Sequence, residues 1–331
     1  MQTSYIYSVS RVNTLREYLL TKTDIERLLV AAPGDELHTA LKETYLAPYL
    51  TRLDDEDMAK AIELTLIDAK RLVHQIAPHG DMFRVLWVHY DIHNLRVFAK
   101  AQHEQITFSD LAPYLSQRGV YDPVVLYENA ENRTLDSMQV GWKAQEVFDR
   151  AVALVQEGRL EAVDALFDVL YFETAKAIAE KSGDLFIKRF VIANIDIFNV
   201  KSRLRALSHQ AVADNGVHFI AGGTFSKESL DTKDDTLTAL SRLGSSAQWT
   251  SAIEQYSKSG NTTSLDVAAD EYLIALAKEA SSDMFSSASL VLYYLLCRQS
   301  AANVRTIVVG KNSGMSEDSI RANLRMSYVN E

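Results

Sequence analysis

His89 and His93 stand four residues apart, which would place both imidazoles on one helix face, the geometry with which a metal is held. No carboxylate completes a known ligand pattern around them, although His74 and His79 lie nearby in sequence. In a later copy of the same segment, described below, Asn194 and Phe198 take their places, so no metal site is expected. The single cysteine, Cys297, follows the apolar run Leu290-Val291-Leu292-Tyr293-Tyr294-Leu295-Leu296. It reads as a buried structural thiol rather than a nucleophile, allows no internal disulfide and fits a reducing compartment. Val308-Val309-Gly310-Lys311-Asn312-Ser313-Gly314 invites comparison with a phosphate loop, but the earlier glycine is missing and Asn312 replaces Ser or Thr. Gly310 is instead expected at a helix C-terminus. A nucleophile elbow, a dinucleotide fingerprint and a paired-cysteine zinc motif are all absent. The residues therefore predict no catalytic group, no cofactor and no metal.

If the side chains do no chemistry, the elements that carry them become the subject. Of the 331 residues, 47% are hydrophobic and 24% charged, with only 5 Pro and 13 Gly, a composition that folds and favours long uninterrupted helices. The expected class is all-α. A formal charge of −10 argues against broad binding to nucleic acid or to an anionic membrane surface. Met1-Gln2-Thr3-Ser4-Tyr5 lacks the basic and apolar regions of a signal peptide. No apolar stretch approaches the ~18 to 20 residues that span a bilayer. A cytoplasmic protein is expected, peripheral to a membrane only through partners.

Internal repetition is the strongest pattern in the chain. Asp-aliphatic-Phe occurs three times, as Asp81-Met82-Phe83, Asp184-Leu185-Phe186 and Asp283-Met284-Phe285. Asn-aliphatic-basic follows each time, as Asn94-Leu95-Arg96, Asn199-Val200-Lys201 and Asn303-Val304-Arg305. In the first two copies an aspartate, Asp91 or Asp196, precedes the asparagine by three residues. Each pair of landmarks reads as a helix start followed by a long buried helix. Phe186, Phe190, Ala193, Ile197, Val200 and Leu204 alternate in steps of four and three, the spacing of a packed bundle helix. The third copy is thinner, with Arg298, Gln299 and Ser300 interrupting it. Asparagine has mediocre helix propensity, so its recurrence predicts a cross-helix hydrogen bond that fixes register, with partner contact as the alternative role.

Cap-like segments follow: Thr107-Phe108-Ser109, Thr224-Phe225-Ser226 and Met315-Ser316, with Thr21-Lys22-Thr23-Asp24-Ile25 as a relative near the start. They divide the chain into helical repeats at 1–106, 107–223 and 224–331. The segments Ala211 to Gly216, Ala221-Gly222-Gly223 and His103-Glu104-Gln105 are expected as junctions, and Asp231 to Asp235 and Ser257 to Ser264 as solvated loops. Residues 312–331 and 1–20 are then expected to be two halves of one unit boundary, so that the chain ends meet.

Several stretches resemble the C subunit of the V-type and A-type rotary ATPases, a relative of the eukaryotic d subunit. They are Tyr5-Ile6-Tyr7, Ser10-Arg11-Val12, Leu19-Leu20, Ile25-Glu26-Arg27-Leu28-Leu29 and Leu41-Lys42-Glu43-Thr44. The most telling is Tyr90-Asp91-Ile92-His93-Asn94-Leu95-Arg96, joined by Phe219-Ile220-Ala221-Gly222-Gly223-Thr224-Phe225. Departures are Ala221, where proline is common in the family, and the third copy's missing aspartate. The resemblance implies three similar helical domains around a pseudo-threefold axis, shaped as a funnel. It also implies a non-catalytic spacer whose partners are the coiled-coil central shaft, with subunits of the D and F type, and the membrane rotor ring. Two other readings fit the same residues: a soluble helical-repeat scaffold of an unrelated complex, and a helical metalloenzyme built on His89 and His93.

Overall fold

The computed structural model describes residues 5–52, 58–102, 106–208, 218–244, 246–260 and 262–330. The fold is all-α, as the composition predicts, and the extended pairing among the described residues is a lone parallel bridge between Thr21 and Asn330. In chain order the helices are α1 (Ile6–Arg16), α2 (Lys22–Val30), α3 (Asp35–Leu41), α4 (Ala47–Leu50) and α5 (Met58–Ile76). Then come α6 (Val88–Ala101), α7 (Phe108–Leu111), α8 (Pro123–Glu131), α9 (Ala144–Gln156), α10 (Leu160–Ser182), α11 (Leu185–Ser208) and α12 (Lys233–Ser241). The last four are α13 (Ser246–Ser259), α14 (Thr263–Ala280), α15 (Ala288–Asn312) and α16 (Glu317–Arg321).

By contact density the chain forms two units, one of Met1–Pro78 with Leu240–Glu331 and one of His79–Ala239. The first is organised by α15, against which α1, α2, α5, α14 and α16 pack. The run from Leu290 to Cys297 is buried throughout, and burial of each large aliphatic or aromatic side chain there is worth roughly 1.5–3 kcal/mol. Arg298, Gln299 and Ser300 do not break this helix: Gln299 and Ser300 are themselves buried, and the helix runs on to Asn312. Its C-terminus is a Schellman turn in which the Met315 amide donates to the Gly310 carbonyl and the Gly314 amide to that of Lys311. Gly314, at φ 68°, is therefore the left-handed residue that closes the helix. Gly310 lies one turn earlier, where a Cβ would come 2.6 Å from Ile320 Cγ1 of α16, so its role is close packing rather than capping.

Segments near the two ends of the chain meet in this unit. The Lys22 amide donates to the Asn330 carbonyl at 2.8 Å, and Asn330 Nδ2 donates to the Arg16 carbonyl at 2.7 Å. Lys311 Nζ reaches the carbonyl of Ala31 just past α2, and Arg321 pairs with Glu26 of α2. The start of α2 is a capping box: Thr21 Oγ1 accepts from the Asp24 amide while Asp24 Oδ2 accepts from the Thr21 amide, as the sequence predicts.

In the second unit α6 and α10 form the middle, with α8 and α9 against α6 and with α9 and α11 against α10. Val88, Leu95, Phe98, Phe148, Phe167 and Leu170 are core residues shared among them. The sequence predicts one long helix from Asp81; instead Gly80–Leu86 is a 3-10 helix and α6 begins at Val88. Three residues per turn stack Met82 on Val85 and Phe83 on Leu86, and all four are buried. In α11 the predicted stripe from Phe186 to Leu204 is buried as expected.

Two expected loops are largely helical. Lys233, Asp234 and Asp235 open α12, because Thr232 and Asp235 exchange cap hydrogen bonds and a cap box is polar for that reason. In Ser257 to Ser264, α13 runs through Ser259 and α14 begins at Thr263. The expected junctions at 103–105 and 211–216 lie outside the described residues.

Candidate functional site: three helix-to-loop clasps

The three asparagines do the same thing. Asn94 Nδ2 donates to the Ser116 carbonyl at 2.9 Å and Asn94 Oδ1 accepts from the Ser116 amide at 2.9 Å. Asn199 pairs identically with the backbone of Ile220, at 2.9 and 2.8 Å, and Asn303 with that of Arg325, at 3.0 and 2.9 Å. A carboxamide carries one donor pair and one acceptor, so it satisfies both polar groups of one residue of a passing loop. All three asparagines are buried at 2% exposure or less, and leaving such backbone groups unpaired would cost about 1–3 kcal/mol each. The partner differs from the expected cross-helix one: it is the loop 21 or 22 residues further along the chain.

The first two copies add a second grip. Asp91, one turn before Asn94, accepts from the amides of Val120 and Tyr121 at 2.8 and 3.1 Å. Asp196 accepts from those of Thr224 and Phe225 at 2.7 and 3.4 Å. Burial pushes the Asp196 carboxyl above the ordinary carboxylate range, and the Thr224 hydroxyl, followed by the Thr224 and Phe225 amides, pulls it partly back. Each loop approaches so closely that any side chain at its glycine would have to displace the gripping carboxylate. A Cβ at Gly119 would sit 2.3 Å from Asp91 Oδ1, and one at Gly223 would sit 2.3 Å from Asp196 Oδ1. Arg118, beside Gly119, closes the first clasp by donating to Tyr90 Oη at 2.6 Å with its guanidinium over the Tyr90 ring.

The third clasp is built otherwise. Ser300 stands at the aspartate position and Tyr328 at the glycine position, counted from Asn303 and Arg325. Gln299 Nε2 donates to the Arg325 carbonyl at 3.0 Å, beside Asn303, and Arg325 Nε reaches Asp270 of α14 at 2.6 Å. Here the carboxylates come from α14 instead of from the asparagine's own helix: Asp270 holds the Arg325 side chain, and Glu271 Oε1 accepts from the Ser327 amide at 3.2 Å.

The other repeated residues are not alike. Phe83 is fully buried in the 3-10 helix and Phe186 is buried in α11, whereas Phe285 is 62% exposed ahead of α15. Asp81 is exposed in that 3-10 turn, while Asp184 Oδ1 accepts from the Ile187 amide as the cap of α11. Asp283 Oδ1 accepts from the Phe285 amide in a turn. Among the basic residues, Arg96 pairs with Asp168 of α10 at 2.6 Å, Lys201 is half-buried and Arg305 is exposed. Burial raises the Asp168 carboxyl above its usual range even beside Arg96. Counted from the asparagines, Ser316 matches Thr107, each 13 residues on, and each opens a short helix, α16 or α7. Thr224 instead matches Val120 within the clasped loop, so the resemblance of Thr224-Phe225-Ser226 to Thr107-Phe108-Ser109 is not a structural one. The true second counterpart, residue 212, lies outside the described residues.

The histidines and the cysteine have structural surroundings. His93 Nε2 is 3.1 Å from the Tyr114 carbonyl, and His89 packs among the rings of Tyr90 and Tyr171. Among the described residues no three His, Cys, Asp or Glu side chains are grouped to hold a metal. The Cys297 thiol is buried, and burial pushes its pKa up to about 12, which keeps it protonated and unreactive at neutral pH. Gln299, Gly119 and the clasped backbone residues are not predicted by the sequence patterns. Only the glycines, 25 and 24 residues after their asparagines, leave a signal that could have found them.

Comparison with known proteins gives a consistent set of similarities. The family model described as ATP synthase (C/AC39) subunit matches residues 8–323. The C subunit of the A-type ATP synthase of Pyrococcus abyssi is 26% identical over 317 residues, covering 90% of this chain and 84% of that protein. The C subunit of the V-type sodium ATPase of Enterococcus hirae is 19% identical over 315 residues, 94% of each. The C subunit of the V-type ATP synthase of Deinococcus radiodurans is 25% identical over 336 residues, covering 97% of this chain and 91% of that protein.

Proposed function

The chain belongs to the ATP synthase (C/AC39) subunit family, and from that premise we propose that it is a non-catalytic central-stalk adaptor of a V/A-type rotary ATPase. In this reading it couples the rotating shaft of the soluble ATPase, through subunits of the D and F type, to the membrane rotor ring. The observation that carries it is the family match, which runs through all three asparagine copies. Relatives named as C subunits of A-type and V-type enzymes, aligned over most of their length, support it. In the same reading the protein lies in the cytoplasm, peripheral to the membrane through the complex. Among the described residues no helix is long and apolar enough to cross a membrane.

The three clasps, recurring at intervals of 105 and 104 residues, support a threefold repetition of helix and loop; the units 1–106, 107–223 and 224–331, arranged about a pseudo-threefold axis as a socket for the shaft, belong to the same proposal. A part that transmits torque needs loops that do not give under load. Loops tied to buried helices through both polar groups of one residue meet that need without any reactive side chain. The repeat-motif residues are in this reading structural, and partner contact falls to the faces around them. Purification of the ATPase from its native membranes tests the proposal. The chain is expected to accompany the shaft subunits and the ring in fixed proportion, and its consistent absence from both would refute the adaptor role.

A further inference from the structure

The helices α2 and α3 leave an open groove of about 830 Å³ on the surface of the first unit. One wall is Thr23, Glu26, Arg27 and Val30, spaced i, i+3, i+4, i+7 along α2; the other is Glu36, Thr39 and Ala40 of α3 with Glu43 just beyond it. The aliphatic residues on the opposite side of α2, Ile25, Leu28 and Leu29, are buried in the unit's own core. Val30, in the groove, is 76% exposed. With Ala31 and Ala40 it forms an apolar floor, with Lys311 Nζ at the Ala31 carbonyl at one end and carboxylates along both walls. Glu26, Asp35, Glu36 and Glu43 face a single lining cation, Arg27, already paired with Glu43 at 2.5 Å. Glu26 is engaged by Arg321, and neither Asp35 nor Glu36 forms an ion pair among the described residues.

An apolar floor between two helices with acidic edges is complementary in shape and charge to a third helix carrying one apolar stripe flanked by Lys or Arg. We propose that the α2–α3 groove docks a cationic amphipathic helix of a partner protein. The nine residues of α2 span about 14 Å, enough for two to three turns of such a helix. The proposal does not depend on which complex the chain joins.

The test places p-benzoylphenylalanine at Thr39 in the full-length chain, expressed in its native cells, and sequences the peptide captured on illumination. The expected adduct is a helical segment of another protein, with apolar residues at i, i+3, i+4 and basic residues beside them. Capture should fall at least tenfold in the Val30→Arg/Glu36→Lys variant, whose helix content should be unchanged because both side chains are exposed. An acidic or extended peptide, a lipid, a second copy of this chain, no adduct, or an adduct indifferent to the double variant would each overturn the proposal. If capture fails while the chain still purifies with shaft and ring, the docking inference falls and the adaptor role stands; the reverse pattern removes the adaptor role alone.

Discussion

The His79–Ala239 unit contains two clasps of the same construction, and the unit built from both chain ends contains one of a different construction. In the former, a carboxylate and a carboxamide one turn apart grip four backbone groups or more, and a glycine lets the loop come close. In the latter the carboxamide remains and Gln299 adds a second donor to the same carbonyl, while the carboxylate contacts come from another helix, Asp270 and Glu271 of α14 holding the Arg325 side chain and the Ser327 amide. What survives in all three is the one group able to pair with a backbone amide and carbonyl together. The difference separates a geometric requirement, met only by asparagine, from a local reinforcement that can be met in more than one way.

Asn94→Ala breaks the shared element where it is most enclosed. Both polar groups of Ser116, itself nearly buried, lose their partner, and the expected loss is roughly 2–4 kcal/mol, read from urea denaturation of the full chain. Gly223→Ala attacks the reinforcement. The added methyl must displace the Asp196 carboxylate, for an expected loss of about 1–3 kcal/mol, together with faster hydrogen exchange at the Thr224 and Phe225 amides. Asn303→Ala should cost less than Asn94→Ala, about 1–2 kcal/mol, because Gln299 still donates to the Arg325 carbonyl and only the Arg325 amide is orphaned. Losses as large as those of Asn94→Ala would show that the third clasp has no second support.

Asp196→Asn should have the smallest effect at neutral pH, since Oδ1 can still accept from the Thr224 amide. Its value lies in the sign of its pH dependence. Because the folded state raises this carboxyl above its unfolded value, ionisation opposes folding above that raised pKa, and the penalty disappears as pH falls through it. The stability of the natural chain relative to the asparagine variant should therefore rise between pH 7 and pH 4, measured by denaturation at both. A fall would mean that the hydrogen bonds from Thr224 and Phe225 outweigh burial and the carboxyl is depressed instead.

The helical class, the asparagine landmarks and the burial of α11 and of Leu290 to Cys297 in α15 were legible in the sequence because composition and period 3.6 encode them directly, whereas the continuity of α15 through Arg298, Gln299 and Ser300 was not. The partners of the asparagines were not, because Ser116, Ile220 and Arg325 contribute only backbone and no residue type marks that role. Asp-aliphatic-Phe was misleading for the opposite reason. It lies 13, 15 and 20 residues before the asparagine, so one short pattern serves as a 3-10 turn, a helix cap and an exposed turn. Family resemblance was carried best by Tyr90 to Arg96, the segment in which Asp91 and Asn94 together form the fullest clasp.

The meeting of the two chain ends sets an order on biogenesis. The helix that organises the first unit, α15, and the Asn330 backbone that pairs with Lys22, emerge from the ribosome after the whole of the intervening unit. The N-terminal helices α1 to α5 must wait for them through the synthesis of the whole intervening unit, which already has its full complement of residues. Of the two units, the one formed by His79–Ala239 is thus equipped to fold before the unit whose segments flank it.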